Sequence, residues 1–305
     1  MSLTVITHAD CLRHEPPLGH PERPARLEAA LRGIEQLDHP RLLDADPVTR
    51  EQLLRAHGPN YLDSLDSLSE SGSLIALDPD TFLGQSSLRA AALAAGAACQ
   101  AVDRVMEKDS GTRAFAVVRP PGHHAEAAQA MGFCIYSSVA VAALHAATAH
   151  GLKRIAVCDF DVHHGNGTEA ILAGNDQVLF ASSHQSPLYP DTGRHGDPHA
   201  TNIINRTLPP QSGSNEFREL WLEQLLPQLD AFKPELILVS AGFDGHWRDP
   251  LAQLNLKDED FYWIGERLVE LADNHANGRL VASLEGGYDL KALEYSTLAF
   301  GEALQ

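Results

Sequence analysis

IAVCDFDVHHGNGTE, at residues 155–169, starts as an apolar strand and then places two aspartates and two histidines within a few residues. A strand core disfavours such groups, because an unpaired buried carboxylate is costly to remove from water. Alternate side chains of an extended strand share a face, so Asp159, Asp161 and His163 are expected on one side. Asp161 and His163 would then stand roughly 6.6 Å apart along the backbone and could converge on one ion. The stretch therefore predicts a buried strand that ends at a metal site.

Similar apolar, β-branched runs recur along the chain, with segments long enough for a helix between them. We predict strands at 3–7, 114–118, 154–160, 178–182, 236–241 and 279–284. Helical spacing at 215–232 and an alanine-rich composition at 86–107 predict two of the intervening helices. Strands joined by such crossovers form a mainly parallel sheet covered on both faces. The Pro-containing segment 184–213 is predicted to be a long loop.

Bulk composition narrows the class of protein. The 305 residues carry a formal charge of −18, and 44% of them are hydrophobic, enough for a sizeable core. The sequence contains no linker-like or repetitive tract, which favours one catalytic domain over residues 1–305. Apolar runs fall short of the ~20 residues of a membrane span, and the acidic balance argues against binding nucleic acid. Four widely spaced cysteines are typical of reduced thiols, so we expect a cytoplasmic protein without membrane or nucleic-acid partners. Homo-oligomerisation stays open.

Chemically reactive residues follow several of the predicted strands. PPGHHA comes after the strand at 114–118, GFDGH follows the strand at 236–241, and EGGYD follows the strand at 279–284. In a parallel α/β sheet, ligands bind beyond the carboxyl ends of the strands. One shared pocket at that edge is the expected result.

A catalytic zinc site needs three protein ligands and one open position. Asp161 and His163 would supply two ligands, and Asp244 in GFDGH is the candidate for the third. This oxygen-rich set also suits Fe²⁺, so the identity of the metal stays open. An isolated Asp-x-His pair is more often a hydrogen-bonded core pair, and only the surrounding motifs favour the metal site here.

The histidines of PPGHHA can face one substrate only if the backbone turns, and the preceding Pro-Pro-Gly supplies a turn. A histidine pair beside a metal site provides a general base and a general acid. Asp159 behind one imidazole and Asn166 behind the other would separate the two pKa values. In EGGYD, the hydroxyl of Tyr288 could donate to a developing oxyanion, although Gly-Gly-aromatic is also a common turn.

With these residues assembled, the chain resembles the zinc-dependent histone deacetylase family, which includes acetylpolyamine amidohydrolases and bacterial deacetylase-like amidohydrolases. Eight motifs carry the resemblance in the family's order: 20-HPERP-24, 79-PDT-81, 120-PPGHHA-125, 132-GFC-134, 159-DFDVHHGNGT-168, 189-YPDTG-193, 241-AGFDGH-246 and 285-EGGYD-289. The resemblance implies an arginase-like, three-layer α/β/α fold with a mainly parallel central sheet. It also implies one zinc ion per chain and a potassium ion near Asp159, Asp161 and Ser182.

The resemblance further assigns a role to each matching position. Metal ligands would be Asp161, His163 and Asp244. Catalytic groups would be His123 with Asp159 behind it, His124 with Asn166 behind it, and the carbonyl-polarising Tyr288. Substrate would contact Phe133, Tyr189, Asp80, Gly132, Leu251 and Gly286.

The implied reaction is hydrolysis of an N-acetyl amide through metal-activated water, releasing acetate. An acetylated lysine in a protein or peptide and an acetylated polyamine are both candidate substrates. Leu251 stands where the eukaryotic polyamine-specific branch has an acid, although Glu15 or Glu126 could replace that acid. Asn166 is typical of the class II branch. Two alternatives remain: a non-catalytic acyl-lysine binding module, which the intact Tyr288 disfavours, and a dinuclear ureohydrolase. The latter is disfavoured because Gly165 stands where a bridging carboxylate is needed.

Overall fold

A central sheet of eight parallel strands organises the protein, whose structure is a computed structural model describing residues 3–107, 113–194, 196 and 200–305. The chain also forms a short two-stranded antiparallel ribbon. The strands are β1 Thr4–Thr7, β2 Arg41–Asp44, β3 Ile75–Ala76, β4 Phe82–Leu83, β5 Arg113–Ala116, β6 Ile155–Asp159, β7 Val178–Gln185, β8 Ile203–Leu208, β9 Leu236–Ala241 and β10 Leu280–Leu284. Their order across the large sheet is β2-β1-β5-β10-β9-β6-β7-β8.

Helices connect the strands and cover the sheet. They are α1 Ala25–Ile34, α2 Arg50–Leu53, α3 Pro59–Ser69, α4 Ser87–Met106, α5 Ser138–His150, α6 Asn166–Leu172, α7 Ser214–Leu220, α8 Leu226–Phe232, α9 Asp258–His275 and α10 Leu290–Ala303. Helices α4 and α5 pack together as one group, and α1, α10 and α9 pack together as another. This three-layer arrangement confirms the predicted α/β/α fold.

Small residues let helix α4 lie close to its neighbours. Apart from the partly buried Ala92, its alanines from Ala90 to Ala101 are almost completely buried in the core. At Gly96, a Cβ atom would lie 1.9 Å from the carbonyl oxygen of Asp46, so only glycine fits where the helix crosses that segment. The alanine-rich composition therefore marks a buried helix.

All six predicted strands are present as β1, β5, β6, β7, β9 and β10, but the sequence missed the edge strands β2 and β8 of the large sheet and the ribbon strands β3 and β4. The prediction of one long loop over 184–213 was wrong, because β7 extends to Gln185 and β8 occupies Ile203–Leu208. Strand β8 carries Asn205 and Arg206 in its centre, and β2 is largely exposed. An edge strand has fewer buried neighbours, so its sequence lacks the continuous apolar run of a central strand.

The helix predicted at 215–232 is confirmed with one local change. Residues Trp221–Leu225 form a π-helical turn between α7 and α8. Pro227 lies two residues after the end of this turn, and its missing N–H removes one ordinary α-helical hydrogen bond. A π-turn at this point is a known way to accommodate such a break.

Each of the four cysteines is free and buried, in agreement with the prediction of unpaired thiols. Among the described residues, no helix combines the length and apolarity that crossing a membrane requires.

Candidate metal centre and active site

Three predicted ligands meet at the carboxyl ends of neighbouring strands β6 and β9. The Nδ1 atom of His163 lies 3.1 Å from Oδ1 of Asp161 and 3.1 Å from Oδ2 of Asp244. One ligand atom from each residue lies within 4.8 Å of the other two, and all three residues are buried. The sheet therefore brings together the ligand set that the sequence predicted.

The backbone after β6 turns where the sequence analysis expected extension. The strand ends at Asp159, whose Oδ1 accepts a hydrogen bond from the N–H of Asp161 at 3.1 Å. Oδ1 of Asp161 then accepts from the N–H of His163 at 2.9 Å. Carboxylates that bond an amide two residues ahead stabilise turns. These two turns, and not strand alternation, direct Asp161 and His163 to one point.

Glycine is required where the 285–288 loop passes the carboxylates. A Cβ atom at Gly286 would lie 1.9 Å from Oδ2 of Asp244 and 2.6 Å from Oδ2 of Asp161. The N–H of Gly286 instead donates to Oδ2 of Asp161 at 2.8 Å. Gly286 was predicted to bind substrate, but the structure places it behind the ligands as their support.

This pocket of carboxylates has the chemistry of a cation site. Although burial alone would lower the pKa of His163, hydrogen bonds to Asp161 and Asp244 outweigh it and raise the pKa to about 10. A divalent cation would neutralise the same negative charge, and two carboxylates with one imidazole suit zinc or Fe²⁺. A bridging carboxylate for a second metal does not fit, because a Cβ at Gly165 would lie 2.3 Å from Oδ2 of Asp159.

A second group with ligand-type atoms lies between α4 and α5. The Nε2 atoms of His145 and His150 both lie 2.7 Å from Oδ1 of Asp103. Nδ1 of His145, however, faces the side-chain N–H groups of Arg55 at 3.0 Å and Gln52 at 3.4 Å. Those donors require a lone pair on Nδ1, so Nε2 carries the proton and donates to Asp103. The group is a hydrogen-bond network, whereas at the sheet edge Nδ1 of His163 faces the carboxylate oxygens of Asp161 and Asp244.

The tandem histidines lie side by side, with ring centroids 4.0 Å apart. Nδ1 of His123 lies 3.1 Å from Oδ2 of Asp159, and Nδ1 of His124 lies 2.8 Å from Oδ1 of Asn166. Burial would lower the pKa of His123, but the charges of Asp161 and Asp159 raise it to about 10. Burial and the neighbouring His123 hold the pKa of His124 well below its usual value. The pKa values of the two imidazoles are therefore shifted in opposite directions.

A buried carboxylate that the sequence analysis did not single out supports this histidine pair. Oε2 of Glu285 accepts hydrogen bonds from the N–H groups of Gly122 at 2.6 Å and His123 at 3.0 Å. Its Oε1 has no hydrogen-bond partner within the described part of the chain. Burial raises the pKa of Glu285 to about 7. The residue joins the histidine loop to the loop that carries Tyr288.

Tyr288 lines the same cavity as the candidate ligand His163. Burial raises the pKa of the phenol well above its usual value, so it stays protonated. The guanidinium of Arg26 lies 4.7 Å from the ring centroid, and the ring of Phe133 packs edge-on at 5.7 Å. The N–H of Tyr288 donates to Oδ2 of Asp249 at 2.7 Å.

A narrow cavity of about 200 Å³ leads from the surface to this centre. Its lining residues are Asp80, His124, Gly132, Phe133, His163, Leu188, Tyr189, Leu251 and Tyr288. Five of the six residues predicted to contact substrate line this cavity, and Gly286 is the exception. Leu188 was not predicted, although it directly precedes the YPDTG motif.

Behind the cavity lies a buried ionic network that the sequence did not reveal. Glu22 accepts two hydrogen bonds from Arg119, at 2.8 and 2.6 Å, and one from Arg26 at 3.2 Å. Burial opposes ionisation of Glu22, but the charge of Arg119 outweighs it and lowers the pKa to about 2. Glu22 lies within HPERP, so the motif was visible whereas its long-range partners were not.

The sequence pattern of the histone deacetylase domain matches residues 20–304. The chain belongs to the histone deacetylase family. That membership supports a deacetylase or amidohydrolase activity of a generally metal-dependent kind.

Relatives and solved structures agree with this assignment. The uncharacterized protein slr0245 of Synechocystis is 40% identical over 97% of this chain and 97% of its own length. The histone deacetylase-like amidohydrolase of Pseudomonas aeruginosa is 37% identical over 95% of this chain and 78% of its own length. The solved HDA15 HD domain matches with a TM-score of 0.91 and 31% identity, over 99% of this chain and 88% of that one. The chain spans only 20% of the Dictyostelium discoideum Type-2 histone deacetylase 2, at 35% identity over 94% of this chain.

Proposed function

We propose that this protein hydrolyses the amide of N-acetylated lysine side chains or of related acylated amines, releasing the amine and acetate. The observation that carries the proposal is the cavity of about 200 Å³ whose lining includes His124, His163 and Tyr288. A candidate base (His124), a candidate metal ligand (His163) and a hydroxyl donor (Tyr288) therefore line one cavity, where the acyl end of a substrate would lie.

Asp161, His163 and Asp244 would hold one divalent cation, with zinc the first candidate and Fe²⁺ the second. A cation bound there supplies Lewis acidity, polarising a carbonyl oxygen and lowering the pKa of water. Two anionic ligands weaken that acidity, so the histidines and the tyrosine must contribute to the reaction.

The substrate's methylene chain would lie against the apolar wall formed by Phe133, Leu188, Tyr189 and Leu251. Phe133 is held by its N–H, which donates to the hydroxyl of Thr81 at 2.9 Å. A rigid aromatic wall binds an apolar chain and excludes water from the reacting amide.

His124 would act as the general base. Its low pKa keeps it neutral, and its Nδ1–H donates to Asn166, which leaves the Nε2 lone pair free to accept a proton. Water attacks the carbonyl carbon as His124 takes its proton, forming a C–O bond. The tetrahedral species then collapses, the C–N bond breaks, and the imidazolium returns the proton to the leaving amine. His123 stays cationic beside Asp159 and stabilises the negative charge electrostatically.

The hydroxyl of Tyr288 would donate a hydrogen bond to the carbonyl oxygen as negative charge develops on it. Such a donor stabilises the transition state more than the ground state, which is the requirement for raising turnover.

An acetylated polyamine is the second candidate substrate, favoured by Asp80 in the cavity lining. A carboxylate there would attract a cationic amine or accept a backbone N–H of a peptide. Leu251 in the same lining offers no charge to a polyamine. Glu126, a possible substitute acid, already accepts a hydrogen bond from Asn166 at 2.9 Å. Acetyl-lysine is therefore the first choice.

A structural potassium ion near Asp159, Asp161 and Ser182 is part of the proposal. Its support is the pairing of β6 with β7, which sets Ser182 directly beside Asp159.

The test compares catalytic efficiency on an acetyl-lysine peptide, N-acetylputrescine and a longer acyl-lysine peptide, before and after treatment with a chelator. We expect the acetyl-lysine peptide to be cleaved best and the chelated protein to be inactive until zinc is restored. Undiminished cleavage after complete metal removal, or no cleavage of any amide by the zinc-loaded protein, would refute the proposal.

A further inference from the structure

Two buried side chains hold opposite ends of the peptide unit that joins Gly287 to Tyr288. Nε of Arg26 donates to the carbonyl oxygen of Gly287 at 2.6 Å. On the other end, the N–H of Tyr288 donates to Oδ2 of Asp249 at 2.7 Å. The carbonyl and the N–H belong to one rigid plane, so its rotation about the chain is blocked from both sides.

This plane needs external support because of the residues before it. Gly286 and Gly287 carry no side chains, and Gly287 has a φ of +123°. Glycine has more backbone freedom than any other residue, so the tyrosine would otherwise sit on a loosely defined segment. The direction of the Tyr288 side chain depends on the orientation of this plane.

Asp249 also reaches the wall of the cavity. Its Oδ1 accepts from the N–H of Leu251 at 3.0 Å, while its own N–H donates to the carbonyl of His246 at 2.9 Å. The side chain is buried, with 8% of the residue exposed, and both of its oxygens are used as acceptors. One carboxylate therefore links the proposed oxyanion donor to a residue that lines the substrate cavity.

We propose that Asp249 is a positioning residue for Tyr288: by fixing the 287–288 peptide and the backbone of Leu251 together, it sets the hydroxyl against the substrate carbonyl. This inference rests on the proposed hydrolysis. Asp249 is not among the described residues that line the cavity, so we expect its effect on turnover to pass through the tyrosine.

Asp249→Asn is the direct test. Asparagine keeps one acceptor oxygen and presents an NH₂ group at the other position, where it opposes the N–H of either Tyr288 or Leu251. We expect kcat to fall about 10- to 100-fold, the usual consequence of a small misplacement of a catalytic group. Asp289→Asn is the matched control, because Asp289 adjoins Tyr288 in sequence but its side chain caps α10 through the N–H of Ala292 and pairs with the exposed Arg248. Asparagine is an equally good helix cap, and an exposed ion pair contributes little, so kcat should not change.

A double-mutant cycle separates positioning from a general structural effect. In a Tyr288→Phe background the hydroxyl is absent, so Asp249→Asn should lower kcat by less than about 2-fold. The same large loss in both backgrounds, or an unchanged kcat in the wild-type background, would overturn the inference. If Asp249→Asn does not fold, Asp249→Ser enters the same cycle.

A spectroscopic measurement makes the test independent of turnover. With 3-fluorotyrosine at all tyrosines, the ¹⁹F resonance of residue 288 is assigned by its loss in Tyr288→Phe. Asp249→Asn should shift or broaden that resonance in the metal-free protein, and Asp289→Asn should not. If the resonance of residue 288 does not change in Asp249→Asn, Asp249 does not position Tyr288, even if the protein cleaves amides. If the resonance changes in Asp249→Asn but the zinc-loaded wild type cleaves no amide, the contact between Asp249 and Tyr288 stands and only the proposed function is refuted.

Discussion

Nδ1 of His124 lies 2.8 Å from Oδ1 of Asn166, a neutral partner in a position that directs the histidine's other nitrogen toward the cavity. The amide orientation is fixed because Nδ2 of Asn166 donates to Oε1 of Glu126 at 2.9 Å. Asn166 therefore orients His124 without adding a negative charge that would favour the imidazolium.

Asn166→Asp should make the enzyme less active at low pH. A carboxylate behind His124 favours its charged form and raises its pKa by ~1–3 units. Because His124 must be neutral to accept a proton, the acid limb of kcat/KM should move upward by a similar amount. The measurement is kcat/KM on an acetyl-lysine peptide from pH 5 to 9.

Glu126 provides the control for this change. An aspartate at 166 would face the Glu126 carboxylate, so some loss of activity could come from repulsion and not from His124. Adding Glu126→Gln removes the repulsion and should restore activity at high pH while leaving the acid limb displaced. An acid limb that returns to the wild-type position in the double variant contradicts the role assigned to Asn166.

Tyr288→Phe should lower kcat by about 10²–10³-fold, the usual effect of removing one oxyanion donor. The metal ligands do not involve the hydroxyl, so zinc content should match that of the wild type. Steady-state kinetics and elemental analysis on the same preparation check both statements. A near-normal kcat would remove the tyrosine from the mechanism.

Asp244→Ala should abolish both metal binding and activity, because it removes one of three converging ligands. Asp103→Ala is the matched control: it removes the carboxylate shared by His145 and His150, which we interpret as a hydrogen-bond network. Elemental analysis should give one zinc per chain for the wild type and for Asp103→Ala. If Asp244→Ala still binds one zinc per chain, or if Asp103→Ala loses its zinc, the metal site is not the one formed by Asp161, His163 and Asp244.

The central strands could be predicted because a strand that is buried on both faces has a continuously apolar sequence. The sequence analysis missed β2 and β8 because polar residues interrupt their apolar ones: β2 is the largely exposed Arg-Leu-Leu-Asp, and β8 carries Asn205 and Arg206 at its centre. The π-helical turn before Pro227 was missed for a different reason. It depends on the backbone hydrogen bonds and leaves the spacing of the apolar residues unchanged.

At the site, the residues that carry chemistry were predictable, whereas several residues that hold them in place were not. Asp161, His163 and Asp244 stand out because charge after an apolar strand requires an explanation. Asp249 lies 39 residues before Tyr288, in a segment whose composition suits an ordinary surface loop as well as a pocket rim. Which backbone N–H it meets depends on how two loops approach each other, and no local pattern encodes that.

Gly286→Ala should disrupt the metal centre at little cost to the rest of the fold. The added methyl group would lie 1.9 Å from Oδ2 of Asp244, so the carboxylates must separate or the loop must move. We expect zinc affinity and kcat to fall together, while far-UV circular dichroism stays unchanged. Gly58→Ala is the control, since its methyl group would meet only the carbonyl of Ala127 at 3.8 Å. Normal zinc affinity in Gly286→Ala would show that the close approach is not required.

His57 should make stability depend on pH between 7 and 4. Its Nδ1 contacts the carbonyl of Glu126 at 3.0 Å, and its Nε2 accepts from the N–H of Ser137 at 3.0 Å, so the folded protein needs the neutral form. Burial lowers its pKa to about 4, against a usual value of ~6.5 in the unfolded chain. Below pH 6.5 the unfolded state binds a proton that the folded state excludes, so stability falls as pH falls. From pH 7 to pH 5 the loss is about 2 kcal/mol.

His57→Gln removes this titration and should flatten the dependence of the unfolding free energy on pH by about that amount. Urea unfolding at pH 7, 6 and 5 measures it, with metal removed from both proteins so that metal release makes no contribution. His39→Gln, at a site where 96% of the side chain is exposed, is the control and should leave the slope unchanged. Other buried histidines add equally to wild type and variant, so the difference isolates His57. Parallel curves for His57→Gln and the wild type would mean that His57 is not held neutral in the folded protein.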